Sequence, residues 1–305
     1  MIRIGVDFGG TKIEAAALNR DGEFVARVRK PNPGAYEAAV EVVRDLVAEA
    51  EQQAGDKVGH VGIGLPGSLS PKTGLMRNAN SVWLNGKPFD KDLAAAMGRQ
   101  VRLANDANCF ALSEAVDGAG AGARVVFGVI IGTGCGGGVV VDQKIHDGPN
   151  GIAGEWGHTP LPWPSAEERA AHTCWCGRID CLETWISGTA FTKDYQENSG
   201  QATGGKALNG AEIVAAAEKG DAEAAAALDR YVHRLGRAFA VLCDILDPDV
   251  LVLGGGMSNV NELYDRVPPI LSKYMFSDIY HTRIEKARYG DSSGVRGAAW
   301  LWPWD

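Results

Sequence analysis

Short apolar runs separated by glycine and polar turns dominate the first part of the chain. The pattern predicts strands over residues 2–7, 13–18, 23–28 and 58–65. Apolar side chains recur at helical spacing over residues 36–53, and further helices are predicted at 90–97 and 107–116, with a short strand at 101–104. Because strands and helices interleave along the chain, the sequence predicts an α/β fold.

A comparable unit recurs in the second half. A predicted strand at 125–131, a glycine-rich turn at 132–138 and a strand at 139–141 repeat the plan found near residue 5. An irregular stretch over 147–183 follows, then helices at about 209–219 and 222–246, a strand at 250–253 and a closing helix over 294–302. At 305 residues a single core tends to split. We therefore predict an N-terminal lobe of residues 1–117 plus about 293–305, and a C-terminal lobe of residues 118–292.

Composition narrows the function classes. Hydrophobic residues make up 45% of the chain, the net charge is -8, and the basic residues are scattered, which favours neither nucleic acid nor an anionic membrane as a partner. We find no apolar run long enough to span a membrane and no signal-peptide pattern, so we expect a cytoplasmic protein. Cysteines that cluster, rather than pair across a small scaffold, agree with a reducing compartment.

The glycine turns exclude two common nucleotide-binding motifs. Gly62-Gly64-Gly67 and Gly132-Gly134-Gly137 both satisfy G-x-G-x-x-G, but neither is followed by the helix that a dinucleotide fingerprint needs. No G-x-x-x-x-G-K-[ST] segment is present. A hairpin of strand, glycine turn and strand can instead bind phosphate through backbone N–H groups. Residues 7–12 (DFGGTK) and 132–134 (GTG) are the two candidates.

Three cysteines are spaced like metal ligands. Cys174, Cys176 and Cys181 lie close together and, with one histidine, make a Cys₃His set suited to tetrahedral zinc. Both His158 and His172 are available as the fourth ligand. Cys109, Cys135 and Cys243 stand alone in apolar contexts and are interpreted as core residues.

Five motifs in this order resemble the ROK family of sugar kinases. They are residues 7–12 (DFGGTK), 132–138 (GTGCGGG), 154–158 (GEWGH), 174–183 (CWCGRIDCLE) and 254–258 (GGGMS). Within the family, residues 78–90, 103–108 and 290–302 are most similar to bacterial fructokinases of the manno(fructo)kinase type. The chain departs from the family pattern at Asp180, where a glycine is usual, and in a longer spacer between His158 and Cys174.

The resemblance implies an actin-like ATPase (ribonuclease H-like) fold of two lobes with a structural zinc loop. It implies that ATP and Mg²⁺ bind between the lobes, and that the γ-phosphoryl group passes to the 6-hydroxyl of a hexose, fructose or also mannose. Glucose or N-acetylglucosamine is the alternative substrate, and a non-catalytic sugar-responsive regulator is a remote alternative. The same resemblance prefers His158 to His172 as the zinc ligand and leads us to expect a homodimer.

The resemblance also assigns the site residues. Asp106 is expected to be the general base, although Asn105-Asp106 alone also fits a turn or a helix N-cap. The resemblance further implies that the sugar is bound by Gly67, Asn80, Asn105, Asp106, Glu155, His158 and Glu183. It implies that ATP and Mg²⁺ are bound by Asp7, Gly9, Gly10, Thr11, Lys12, Gly132, Thr133, Gly134, Gly254, Gly255 and Gly256. The implied zinc ligands are His158, Cys174, Cys176 and Cys181.

Overall fold

The computed structural model describes residues 2–55, 57–170, 172–199 and 208–303. The strands are β1 (Arg3–Phe8), β2 (Lys12–Leu18), β3 (Phe24–Pro31), β4 (His60–Leu65), β5 (Ser68–Leu69), β6 (Met76–Arg77), β7 (Val101–Asn105), β8 (Val125–Ile131), β9 (Cys135–Val141), β10 (Lys144–Ile145), β11 (Val250–Gly254) and β12 (Arg283–Lys286). The helices are α1 (Tyr36–Gln53), α2 (Phe89–Met97), α3 (Asp106–Val116), α4 (Glu183–Ile186), α5 (Gly188–Asn198), α6 (Gly210–Glu218), α7 (Ala222–Leu246), α8 (Glu262–Tyr274) and α9 (Ser293–Ala299). The α/β class is confirmed.

Two compact units make up the chain. The first contains residues 1–122, 138–153 and 288–305, and the second contains residues 123–137 and 154–287. The predicted lobes differ from these units mainly in residues 138–153, which the sequence placed in the C-terminal lobe. That segment lies against α3 of the first unit, where the Asn108 amide donates a hydrogen bond to Asp147 (2.8 Å). Residues 1, 56 and 304–305 of the predicted N-terminal lobe, and residues 171 and 200–207 of the predicted C-terminal lobe, lie outside the described residues.

The first sheet has the order β3-β2-β1-β4-β7. Strands β1, β2 and β3 are antiparallel neighbours, whereas β1, β4 and β7 run parallel. Helix α1 buries its apolar stripe of Val43, Leu46 and Val47 in the core that covers one face of this sheet. The carboxyl ends of the parallel strands therefore meet at one edge, which is where ligands bind in open α/β sheets.

Helix α9 lies very close to β1 and β4. A Cβ atom at Gly5 would lie 1.9 Å from the Val295 carbonyl oxygen, and one at Gly62 would lie 1.9 Å from the Ala298 carbonyl oxygen. Only glycine permits that approach. Gly62, the first glycine of one G-x-G-x-x-G match, therefore serves helix packing.

The second sheet has the order β10-β9-β8-β11-β12. Strands β8, β11 and β12 are parallel. The long helix α7 begins after an Asp221 N-cap, whose carboxylate accepts hydrogen bonds from two backbone N–H groups. It ends at Leu246, as the sequence predicts, with Asp247 as its C-cap. No described residue belongs to a helix that is both long and apolar enough to span a membrane.

The turn predicted after β8 is longer than the turn in the structure. The sequence placed a turn over residues 132–138, but β9 already begins at Cys135. Its glycines make room for a tryptophan: a Cβ atom at Gly137 would lie 2.8 Å from the Trp156 ring, and the Trp156 indole N–H donates to the Gly136 carbonyl (2.9 Å). Periodicity also gave no signal for α5, α8 or β12. Two consecutive prolines, Pro268 and Pro269, lie inside α8, and proline weakens the local helix signal because it lacks the backbone N–H.

Candidate active site and metal centre

In the first unit, two aspartates lie at the carboxyl edge of the parallel strands. Asp7 lies near the end of β1, and Asp106 follows β7 directly as the first residue of α3. Burial, together with the negative charges of Asp106 and Glu14, raises the pKa of Asp7 from 3.8 to about 6. A carboxylate with a raised pKa beside a second carboxylate is a typical environment for a bound cation or a proton transfer.

The first glycine hairpin combines one constrained and one open position. The Gly9 N–H donates to the Lys12 carbonyl (3.0 Å), and a Cβ atom at Gly9 would lie 2.9 Å from that same oxygen. At Gly10 an added Cβ would meet nothing within 4 Å. Asn32, directly after β3, fixes the hairpin, since its side chain donates to the Gly9 carbonyl (2.8 Å) and its backbone N–H donates to the Thr11 carbonyl (3.0 Å). The tip formed by Gly10, Thr11 and Lys12 is exposed.

Asn105 and Asp106 cap α3 and also face the sugar-binding candidates. The Asn105 side chain accepts from the Ala107 N–H (2.9 Å), and one Asp106 carboxylate oxygen accepts from the same N–H (2.8 Å). The Asn105 amide donates to the Gly67 carbonyl (3.2 Å). The N-cap interpretation is therefore confirmed as geometry. It leaves the Asp106 side chain exposed, as a general base requires.

Gly67 occupies a position that only glycine fits. Its φ is 80°, and a Cβ atom would lie 2.4 Å from the Arg77 carbonyl oxygen and 2.7 Å from the Ala79 nitrogen. Asn80 follows in the same loop and is exposed. The first unit thus brings Gly67, Asn80's loop and Asn105 together.

In the second unit, the second glycine turn contacts the Gly254–Gly256 segment. A Cβ atom at Gly255, whose φ is 78°, would lie 2.4 Å from the Ile131 carbonyl oxygen and 3.1 Å from the Gly132 nitrogen. The turn is closed by a hydrogen bond from the Gly132 N–H to the Gly134 carbonyl (3.1 Å). The predicted phosphate turn and the predicted adenosine segment are therefore neighbours.

The described residues include one His/Cys cluster with metal-ligand geometry. One ligand atom from each of His158, Cys174, Cys176 and Cys181 lies within 4.8 Å of all the others. The distances are 3.6 Å from Cys174 Sγ to His158 Nδ1 and 3.6 Å from Cys176 Sγ to Cys181 Sγ. Tetrahedral zinc with Zn–S bonds of about 2.3 Å needs ligand separations of about 3.8 Å, so the residues fit zinc.

His172 stands outside this cluster. Its ring packs on the Trp185 ring with centroids 4.3 Å apart, and its backbone N–H donates to the Asp180 carboxylate (3.0 Å). Asp180 adopts a φ of 58°, the left-handed conformation that the family's glycine would take and that aspartate tolerates. The departure at this position therefore preserves the turn.

Glu183 connects the metal loop to the second glycine turn. One of its carboxylate oxygens accepts from the Cys135 N–H (3.0 Å), and the other accepts from the Trp175 indole N–H (2.6 Å). Trp175 was not singled out from the sequence, although a large aromatic residue between two ligand cysteines was the available signal. Glu155, assigned to the sugar, is exposed just before the 3₁₀ turn Trp156–His158.

The long spacer before Cys174 is held by a buried ion-pair network that the sequence did not predict. Glu168 accepts from Arg234 (2.8 Å) and from Arg237 (2.8 and 2.9 Å), and both arginines lie on α7. Arg237 also donates to the carbonyls of Pro162 (3.1 Å) and Trp163 (2.5 Å). The spacer is thereby fixed to α7 independently of the cysteines.

Comparison with known proteins identifies related sequences along the whole chain. The ROK family model matches residues 3–304. An N-acetyl-D-glucosamine kinase of Vibrio atlanticus is 41% identical over 302 residues, covering 97% of this chain and 98% of that protein. The crystal structure of a ROK hexokinase from Thermus thermophilus is 30% identical, with a TM-score of 0.86, and covers 99% of this chain and 97% of its own. A ROK family glucokinase from Streptomyces griseus, crystallised with glucose and AMPPNP, is 28% identical with a TM-score of 0.77, covering 98% of each chain.

Proposed function

This chain belongs to the ROK family of sugar kinases with the actin-like two-lobe fold, and we propose that it transfers the γ-phosphoryl group of ATP to the 6-hydroxyl of N-acetylglucosamine. The relative from Vibrio atlanticus, 41% identical over nearly the full length of both proteins, is an N-acetyl-D-glucosamine kinase. That likeness favours N-acetylglucosamine, the alternative substrate of the sequence analysis, over fructose or mannose.

The observation that carries the proposal is the pair of carboxylates at one edge of the first sheet. Asp106 is exposed and belongs to the same edge as Asp7, close enough for its charge to raise the Asp7 pKa. Phosphoryl transfer needs a group that orients the attacking hydroxyl and a second group that holds the cation of the nucleotide. Asp106 takes the first role and Asp7 the second.

Each unit contributes its own residues to the reaction. In the first unit, Asp106 accepts the sugar proton, Asn105 and Asn80 bind hydroxyl groups beside Gly67, and Lys12 with the amides of Gly10 and Thr11 binds phosphate. In the second unit, the amides of Thr133 and Gly134 bind phosphate, and Gly254, Gly255 and Gly256 receive the adenosine. The N–H groups of Gly9 and Gly132 close their own turns, on the carbonyls of Lys12 and Gly134, so these two glycines shape the phosphate site. Mg²⁺ bound with ATP would offset the charge of the phosphates.

The residues of the second unit that bind the sugar are Glu155, His158 and Glu183. His158 turns Nδ1 toward the cysteines, as the 3.6 Å distance to Cys174 Sγ shows. The other ring nitrogen, Nε2, is then left for a sugar hydroxyl, and a structural zinc would fix the orientation of that ring.

A coupled assay of ADP release tests the substrate. With Mg-ATP, we expect kcat/KM for N-acetylglucosamine to exceed that for glucose, mannose and fructose. A preference for fructose would favour the fructokinase resemblance instead, and no turnover of any of the four sugars would overturn the proposal.

A single substitution tests the base. Asp106→Asn keeps an oxygen that can accept the Ala107 N–H but cannot accept a proton, so we expect kcat to fall by about 10²- to 10⁴-fold with little change in sugar affinity. Asp21→Asn, in the exposed turn before β3, is the matched control and should leave kcat unchanged. Wild-type turnover in the Asp106 variant would remove this residue as the base.

A further inference from the structure

Trp175 has an unusual combination of exposure and fixation. The residue is 73% exposed, yet its indole N–H donates a 2.6 Å hydrogen bond to the Glu183 carboxylate. Its ring also meets the His158 ring edge to face, with centroids 5.0 Å apart and an interplanar angle of 83°. The exposed indole of Trp175 therefore lies beside Glu183 and His158, two of the residues proposed to bind the sugar.

The backbone around Trp175 leaves the indole little freedom to move away. The Cys174 N–H donates to the Arg178 carbonyl (2.8 Å), and the Gly177 N–H donates to the Cys174 carbonyl (2.9 Å), so residues 174–177 form a tight turn. Cys174 and Cys176, on either side of the tryptophan, belong to the His/Cys cluster. A bound zinc would hold the indole in place from both sides.

Glu183 is equally constrained. Its second carboxylate oxygen accepts from the Cys135 N–H (3.0 Å), so the carboxylate cannot turn away from the indole without losing a backbone hydrogen bond. A carboxylate oxygen has more than one lone pair, and the oxygen that faces Trp175 can accept a second donor. A sugar group that donates to this oxygen would lie next to the exposed indole of Trp175.

From this arrangement we propose that Trp175 is the specificity-determining residue for the acetamido group of the sugar. The inference rests on the proposed function and concerns the same site. An acetamido group differs from a hydroxyl by carrying an amide N–H, a carbonyl and an apolar methyl. The N–H donates to Glu183 and the methyl packs on the indole, so two of these three features find a partner in one pair of residues.

A ligand series tests the methyl contact without altering the protein. N-acetylglucosamine carries the amide N–H, the carbonyl and the methyl. N-formylglucosamine keeps the N–H and the carbonyl but lacks the methyl, and glucose has none of the three. We expect the wild-type enzyme to prefer the acetyl over the formyl sugar by about 10-fold or more in kcat/KM, the size of discrimination that one apolar group supports. Equal use of the acetyl and formyl sugars would overturn the proposal.

Variants then assign that preference to Trp175. Trp175→Ala should reduce the acetyl-over-formyl ratio to about 1, chiefly through the KM of N-acetylglucosamine, while glucose kinetics change much less. Trp175→Phe keeps an apolar face and should retain most of the ratio. Trp163→Ala removes another half-exposed tryptophan of the same loop region and is the control. It should keep the wild-type ratio.

Zinc content and the wild-type result separate the possible failures. If Trp175→Ala loses its zinc, the Phe variant decides, and loss of the acetyl preference in a zinc-loaded Phe variant would contradict a packing role for the ring. A Trp175→Ala enzyme that retains zinc and the wild-type ratio would also overturn the inference. A wild-type enzyme that prefers fructose or uses no amino sugar would refute the proposed function itself, which is a different outcome.

Discussion

Asp7→Asn should make the protein more stable at neutral pH while abolishing its activity. Asp7 is largely buried and lies near the charges of Asp106 and Glu14, so its folded state disfavours the ionised carboxylate. A pKa raised above the ordinary value contributes stability that is fully present below about pH 3.8 and is lost as pH rises through about 6. The rise of the pKa from 3.8 to about 6 corresponds to about 3 kcal/mol of unfolding free energy.

The asparagine variant avoids this cost because it cannot ionise. We therefore expect the difference in unfolding free energy between the variant and the wild type to increase by about 2–3 kcal/mol between pH 4 and pH 7.5. Urea denaturation at matched ionic strength, without divalent cations, measures it. The other carboxylates titrate in both proteins and largely cancel in the difference, and Asp21→Asn should show no comparable dependence on pH.

Mg²⁺ provides the second half of the test. If Asp7 takes part in holding the cation, Mg²⁺ with a nucleotide should stabilise the wild type more than Asp7→Asn, because a ligand stabilises only the state that binds it. A difference in stability that stays constant from pH 4 to 7.5 would refute the assigned pKa. Full kinase activity in Asp7→Asn would refute the role in catalysis.

Three further predictions concern the backbone, the buried ion pairs and the metal. Gly67→Ala should lower the free energy of unfolding, measured by urea denaturation, by more than about 2 kcal/mol and raise the sugar KM, because φ is 80° and the new Cβ would lie 2.4 Å from a carbonyl oxygen. The control is Gly86→Ala, with the same φ and nothing within 4 Å of the new Cβ, which should cost only about 1 kcal/mol. Glu168→Gln should cost about 2–4 kcal/mol in the same assay by leaving Arg237 buried without its charge partner, whereas exposed Glu167→Gln should change stability little. Metal analysis should find about one zinc per chain. Removing the zinc with a chelator should lower the Tm and raise the sugar KM more than the ATP KM. An active zinc-free enzyme would contradict the structural role of the zinc.

The regular elements of the fold were largely predictable because their signals are local. Helix α1 and strand β8 have the bounds that periodicity predicted. Helix α7 also ends where the sequence placed its stop, at the leucine before Asp247. The glycine-rich segment after β8 was harder, because glycine is typical of turns and the strand at Cys135–Val141 depends on a distant tryptophan. Packing of Trp156 across Gly137 has no local signature.

The candidate site was predictable to the extent that a family motif carried it. Asp7, Asp106 and the cysteines follow from their motifs, and their roles together with the expected homodimer stay predictions. The distinction between His158 and His172 illustrates what spacing alone misses. Both histidines are near the cysteines in sequence, but the ring of His172 packs on the ring of Trp185, whereas Nδ1 of His158 faces Cys174.

Glu183 shows why a residue assigned to one task must be understood through all of its contacts. Its carboxylate accepts from the backbone of Cys135, immediately after the second glycine turn, and from Trp175 in the loop of the His/Cys cluster. A sugar that shares this carboxylate would therefore bind a group that is already hydrogen-bonded to both segments. Within the second unit, the loop of the His/Cys cluster and the second glycine turn are joined through this single side chain, so a change in either segment is expected to alter the geometry of the other.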